Sequence, residues 1–192
     1  MEQMGTPTQR LILVSGPPAS GKTTLARPLA QSLGFALLTK DDIKESLFTS
    51  LHGRPGSLSD SRRMGDAAID LLWSLAPHCP QVVLEANFRT QDSAQRAKLL
   101  ALPAQVVEVH CRLPLEEAAR RFSLRARTDR HHPAHMLRHI SLDQLSEYAE
   151  PFGISPVIEV DTTQPIDIPA LARKVSAAFT PSSPIPLSAH GI

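Results

Sequence analysis

Five short apolar runs punctuate the chain, over residues 11–14, 35–39, 81–85, 105–110 and 156–160. Their cores, such as Val82-Val83-Leu84, are continuous rather than alternating, the pattern of strands buried on both faces. The stretches between them carry a helical period. Residues 24–33 are apolar-periodic, and Met64, Ala68, Leu71, Leu72 and Leu75 fall on one face of a helix over roughly residues 61–76. Ala94, Ala97, Leu100 and Ala101 form the apolar face of a helix that Pro103 ends. Another helix follows Pro114, which suits a first helical turn, and a last one covers about residues 168–179 with Leu171 and Val175 inward. Trp73 reads as core. Strands alternating with helices predict one α/β domain over residues 10–179, three layers with a parallel sheet in the middle. The polar residues 1–9 and the proline-rich residues 180–192 are expected to be flexible ends. Pro28 conflicts with its helix, where it should remove a backbone bond and bend the axis.

Between the first strand and its helix stands Gly16-Pro17-Pro18-Ala19-Ser20-Gly21-Lys22-Thr23, which fits the phosphate-cradling pattern G-x-x-x-x-G-K-[ST] in its required strand–loop–helix setting. The glycines let successive N–H groups turn toward phosphate oxygens, and the helix N-terminus adds positive potential. Lys22 would reach the β/γ-phosphates and the Thr23 hydroxyl would bind Mg²⁺. This loop alone implies a bound nucleoside triphosphate.

Composition narrows the partners. The formal charge of the 192-residue chain is only +1, too small a basic excess for a dedicated DNA-binding surface. Cys79 and Cys111 have neither metal spacing nor the numbers for a disulfide framework. No run approaches the length of a membrane helix and residues 1–9 lack an apolar signal core, so the expectation is a cytoplasmic protein without membrane partners.

Asp41 and Asp42 follow the second strand, and strand carboxyl ends are where ligands sit in open α/β sheets. An acid there can accept the proton of an attacking hydroxyl or hold Mg²⁺ through water, while capping is the competing role; one acid is expected in each. Thr39-Lys40-Asp41-Asp42 also spells a guanine-binding T-K-x-D pattern, at the wrong place in the chain for it. Glu85-Ala86-Asn87-Phe88-Arg89-Thr90 closes the third strand. Glu85, ending an apolar strand, can hold a metal's water shell or a substrate hydroxyl, and Arg89 can pair with a phosphate. Arg120, Arg121, Arg125, Arg127 and Arg130 crowd one segment, and transfer of a γ-phosphoryl needs such cations. A lid over about residues 120–140 is expected, some of its arginines being solvated surface. His131, His132, His135 and His139 lack a completing ligand at metal spacing and read as a lid or substrate-side loop.

These parts together resemble the small P-loop kinases, among them zeta toxins, chloramphenicol phosphotransferase and phage-type polynucleotide 5′-kinases. The resemblance covers residues 11–179 and rests on the loop through Thr24, the acid pair, the Glu85 to Thr90 stretch and the arginine-rich segment. It implies a P-loop fold with a five-stranded parallel sheet and the phosphate-loop strand in its middle. It makes Asp41 the acceptor-activating base, like the first acid of the N-x-D-D element in polynucleotide kinases, which carry Arg where Lys44 stands. Glu85 and Arg89 resemble the E-G-T-x-R-T stretch of zeta toxins and so join Lys44 in the acceptor site. Arg125 or Arg127 would match a lid arginine. The expected activity is Mg²⁺-dependent transfer of the ATP γ-phosphoryl to a hydroxyl of a small molecule. ATP would be held by Gly16, Pro17, Pro18, Ala19, Ser20, Gly21, Lys22, Thr23, Thr24, Arg125 and Arg127. Thr23 and Asp42 would organise the metal, and Lys22, Asp41 and Arg125 would act in catalysis. A polynucleotide 5′-hydroxyl kinase and an ATP-dependent switch are the alternatives.

Overall fold

Leu11, Ile12, Leu13 and Val14 are all fully buried, yet they serve two different cores. Ile12 and Val14 pack with Leu25, Leu29, Leu171 and Val175, whereas Leu11 and Leu13 pack with Leu72, Trp73, Phe88 and Leu99. Successive strand side chains point to opposite faces, so a continuous apolar run is what a strand between two helical layers requires. Each such side chain contributes about 1.5–3 kcal/mol on burial. The computed structural model describes residues 9–51, 57–128 and 132–179.

The strands are β1 (Gln9–Ser15), β2 (Ala36–Thr39), β3 (Gln81–Glu85), β4 (Ala104–Arg112) and β5 (Val157–Asp161). The helices are α1 (Lys22–Leu33), α2 (Lys40–Ser50), α3 (Leu58–Leu75), α4 (Ser93–Leu100), α5 (Leu115–Arg125), α6 (Leu142–Ser146) and α7 (Ile168–Ala178). All neighbouring strands are parallel, in the order β2-β3-β1-β4-β5, with β1 central. The expected three-layer P-loop fold is the fold of the chain. Val14 registers with Glu85 of β3 and Ser15 with His110 of β4, so the ends of three strands meet beside the loop that follows β1.

Local chemistry sets the helix ends. Side chains of Thr39, Ser57, Asp92 and Asp167 each accept a bond from an N–H in the first turn of α2, α3, α4 and α7. Ser141 and Gln144 form a capping box on α6, and Gly34 closes α1 in the left-handed region. Pro28 does lie inside α1. The carbonyl its ring leaves unpaired is that of Thr24, an exposed residue that water can serve.

Two helix faces differ from the sequence reading. On α3 the buried residues are Ser61, Gly65, Ala68, Leu72 and Trp73, while Leu71 and Leu75 are exposed. Small residues face inward because α2 packs against α3. On α4 Leu99 is buried and Leu100 exposed, a rotation of one residue, or about 100°. Gln9, read as part of a loose end, belongs to β1 and is buried. The expectations for residues 1–8, for Arg130 and His131, and for residues 180–192 lie outside the described residues.

Candidate active site

The loop after β1 holds three positive-φ residues, Gly16 at 132°, Ala19 at 62° and Gly21 at 82°. Gly16 passes so close to β4 that a Cβ there would sit 2.5 Å from the Cys111 carbonyl oxygen. Left-handed residues alternating with ordinary ones turn consecutive N–H groups to one side, making an anion-binding concavity. Lys22 is buried and folds back on this loop, donating to the carbonyl oxygens of Gly16 at 3.0 Å and Pro17 at 2.7 Å. Burial lowers its pKa, against the opposing charges of Glu85 and Asp41. The Ser20 hydroxyl is buried with no hydrogen-bond partner among the described residues. A buried cation on neutral carbonyls and an orphaned hydroxyl fit a loop shaped for a polyphosphate.

Thr23 donates from Oγ1 to Glu85 Oε2 at 2.9 Å, joining the first turn of α1 to the end of β3. Burial raises the Glu85 pKa, with Lys22 opposing the shift and Asp41 adding to it. Hydroxyl and carboxylate are hard oxygen donors, a set that fits Mg²⁺. Burial alone would also push the Asp41 carboxyl up. Lys40, His135, Lys22 and Arg125 outweigh it and hold Asp41 below the ordinary carboxylate range.

Two cavities meet at these residues. One, of about 310 Å³, lies against the loop and α1 and is lined by Lys22, Thr23, Thr24, Asp41, Glu85 and Arg121, among others. The other, of about 490 Å³, lies between α2, α3 and the segment that follows α5, and takes in Lys40, Lys44, Arg62, Arg89, His135 and Tyr148. Asp41, Asn87 and Arg125 line both.

The structure therefore sorts the residues singled out in the sequence. Lys22, Thr23, Asp41, Glu85 and Arg125 come together. Lys44 and Arg89 lie in the larger cavity, where Arg89 pairs with Glu147 at 3.3 Å. Glu85, read as an acceptor residue, lines the loop-side cavity only. Asp42, read as a metal residue, is more than half exposed and makes a two-pronged contact with Arg27, both at 2.8 Å. Adjacent residues of a helix point about 100° apart, so Asp41 and Asp42 cannot both face the loop. Neither is a helix cap; Thr39 is. Arg127 is exposed, lies past the end of α5 and lines neither cavity. Arg120 and Arg121 lie in α5 and both pair with Glu117, whose carboxyl they hold at about 2. His135 bonds Glu45 at 2.9 Å on the cavity wall. Asn87, Lys40 and Tyr148 were not singled out in the sequence. Asn87 lies in the Glu85 to Thr90 stretch and Lys40 in the Thr39 to Asp42 stretch, but nothing in a single sequence marks Tyr148 as a wall residue.

Residues 11–151 match the family model described as an AAA domain. A cytidylate kinase of Ignicoccus hospitalis is 26% identical over 124 residues, 60% of this chain and 64% of that kinase's length. The crystal structure of a candidate kinase from Chloroflexus aurantiacus superimposes with a TM-score of 0.76 at 30% identity, covering 89% of this chain and 98% of the other. The Mycobacterium tuberculosis APS kinase, solved with AMPPNP and APS, gives a TM-score of 0.55 at 18% identity, covering 91% and 99%, a likeness of fold.

Proposed function

The chain belongs to the AAA domain family, with the fold of P-loop kinases, and from that premise we propose that it transfers the γ-phosphoryl of ATP to a hydroxyl of a small molecule held in the larger cavity. One observation carries the reading: the Asp41 carboxyl stands on the boundary between the phosphate-loop cavity and a second cavity of small-molecule size. Lys22 exchanges the Gly16 and Pro17 carbonyls for phosphate oxygens. Thr23 and, in place of Asp42, Glu85 would hold Mg²⁺, which would supply charge neutralisation to the phosphates. The acceptor oxygen bonds to the γ-phosphorus as the bond to the β-bridging oxygen breaks, ADP leaves, and Asp41 takes the hydroxyl proton. Arg125 brings its cation to the equatorial oxygens. A hydroxyl acceptor suits Asp41 better than a phosphate acceptor, since an ionised carboxylate accepts a proton from the first and repels the second.

The direct experiment is a panel of alcohols, sugars and polynucleotide 5′ ends offered with ATP and Mg²⁺, scored by ADP release. Release that depends on a small hydroxyl compound is expected. ATP turnover independent of every acceptor, or driven by polynucleotide ends alone, overturns the reading.

A further inference from the structure

Lys44 is a costly residue where it stands. It is only 7% exposed, it lies on the face of α2 against α3, and its ammonium donates to Ser61 Oγ at 2.9 Å, whose hydroxyl in turn donates to the Ala134 carbonyl. Burying a charge without a paired counter-charge is strongly unfavourable. Lys40, one helical turn earlier, brings a second ammonium to the same place. The point where a Cβ would stand on Gly65 is 3.7 Å from Lys40 Nζ and 4.0 Å from Lys44 Nζ. A glycine in the middle of α3 keeps the space in front of both ammonium groups clear of side chain, at some cost in helix propensity. Among the described residues no carboxylate forms an ion pair with either lysine. The larger cavity as a whole has five lysine and arginine side chains against three carboxylates, and one of those, Glu147, is committed to Arg89.

Resting on the kinase reading, we propose that the acceptor is itself a phosphate monoester, and that its phosphate docks between Lys40 and Lys44 over Gly65 while its free hydroxyl faces Asp41. Two converging ammonium groups call for two negative charges. A carboxylate brings one; a phosphate monoester brings about −1.5 to −2 near neutrality and three acceptor oxygens. Lysine binds phosphate as a compact point charge, and α2 supplies two of them here. The titration of Lys44 agrees with this geometry. Burial, then Lys40, lower its pKa to about 8, against the pull of Asp41, Asp66 and Glu45. Arg62 and His135 also line the cavity. The ammonium form is thus present below about pH 8 and lost above it, and an anion seated on it must move that value up.

The test uses the full chain with Mg²⁺ and AMP-PNP in excess, so that added phosphate cannot occupy the phosphate loop. The rate of Lys44 acylation is followed against pH by mass spectrometry, in inorganic phosphate and in chloride of equal ionic strength. Phosphate should raise the apparent Lys44 pKa by about one unit or more, a tenfold preference for the charged form. Lys44→Met should lose at least tenfold in phosphate affinity. Gly65→Asp, whose Cβ makes only ordinary contacts, should do the same by placing a carboxylate between the lysines, which covers the case in which Lys44→Met does not fold. Steady-state assays then compare phosphorylated alcohols and nucleoside monophosphates with their phosphate-free counterparts, and kcat/KM should favour the phosphorylated member by tenfold or more, failing above pH 8. An unchanged Lys44 titration together with efficient turnover of a neutral alcohol overturns the proposal and leaves the kinase reading standing. A raised Lys44 pKa with no hydroxyl acceptor turned over does the reverse.

Discussion

Replacing Gly16 by alanine should cost this protein stability before it costs activity. The residue has φ of 132°, a region that side-chain-bearing residues rarely enter, at a cost on the order of 1–3 kcal/mol. The new Cβ would also stand 2.5 Å from the Cys111 carbonyl oxygen and 3.1 Å from Cys111 Cβ. That oxygen is backbone in β4, which pairs with β1 from Gln9 to Ser15, so it cannot yield without opening the central ladder. Overpacking of this kind costs about 1–3 kcal/mol more. The sum, about 2–6 kcal/mol, corresponds to a fall in melting temperature of roughly 5–20 °C for a domain of this size. Gly34→Ala is the internal control. Its φ is 69°, and nothing lies within 4 Å of its Cβ position, so it should lose only the left-handed penalty of about 1–2 kcal/mol. Thermal unfolding of both variants without nucleotide separates the steric part from the conformational part. Should Gly16→Ala melt at or above Gly34→Ala, the close approach of loop and β4 is not as described.

Lys22→Ala should leave a folded protein with transfer nearly abolished, because no neighbour can replace its charge at the β/γ-phosphates; unchanged turnover at a wild-type melting temperature refutes this. Asp41→Asn should cut acceptor-dependent turnover by about a hundredfold with ATP binding retained. Because the Asp41 pKa is lowered, the wild-type base stays ionised as pH falls from 7 to 5, so no loss over that range should trace to it. Asp42→Asn should leave turnover intact and change stability by less than about 1 kcal/mol, the scale of an exposed ion pair; a larger kinetic effect than Asp41→Asn reverses the assignment. Arg125→Ala should lower kcat more than it weakens ATP binding, while Arg127→Ala should be silent in both.

The phosphate loop and the alternation of strands with helices were legible because both depend on local pattern. A loop of fixed spacing between an apolar run and a helix specifies its own conformation, and double-sided burial writes continuous apolar runs into β1, β3 and β4. Side-chain direction within a helix was not legible. Asp41 and Asp42 are indistinguishable as residues, and only the seating of α2 on α3 decides that the first faces the loop and the second meets Arg27. The same holds for Leu99 and Leu100, and for the arginines of α5, where Arg121 and Arg125 reach the loop-side cavity and Arg120 does not. Lys44 was placed in the acceptor site by resemblance alone, and its pairing with Lys40 shows only when Gly65, on another helix, is brought opposite both.

The least apolar part of the interior ties the two cavities together. Ser15, the last residue of β1 and the one before Gly16, donates to Glu108 Oε1 at 2.6 Å and meets His110 Nδ1 at 2.8 Å. All three are fully buried. His110 Nε2 lies 2.8 Å from the Ala149 carbonyl, and Glu108 accepts from the N–H groups of Phe152 and Gly153. Thr90 and Arg96 hold the same segment through the carbonyls of Glu150 and Phe152. Leucines at 108 and 110 would bury as much surface, but apolar contact is not directional and would not fix where residues 149–153 lie. Those residues continue directly from Glu147 and Tyr148, which line the larger cavity. Leaving any one of these buried groups unpartnered costs about 1–3 kcal/mol, which makes alternative placements of the segment unfavourable. The wall of the larger cavity and the phosphate loop thus share one hydrogen-bonded base under the carboxyl ends of β1 and β4. A reaction between two molecules held on either side of Asp41 needs that kind of fixed relation, since displacements near 1 Å can cost a hundredfold in rate.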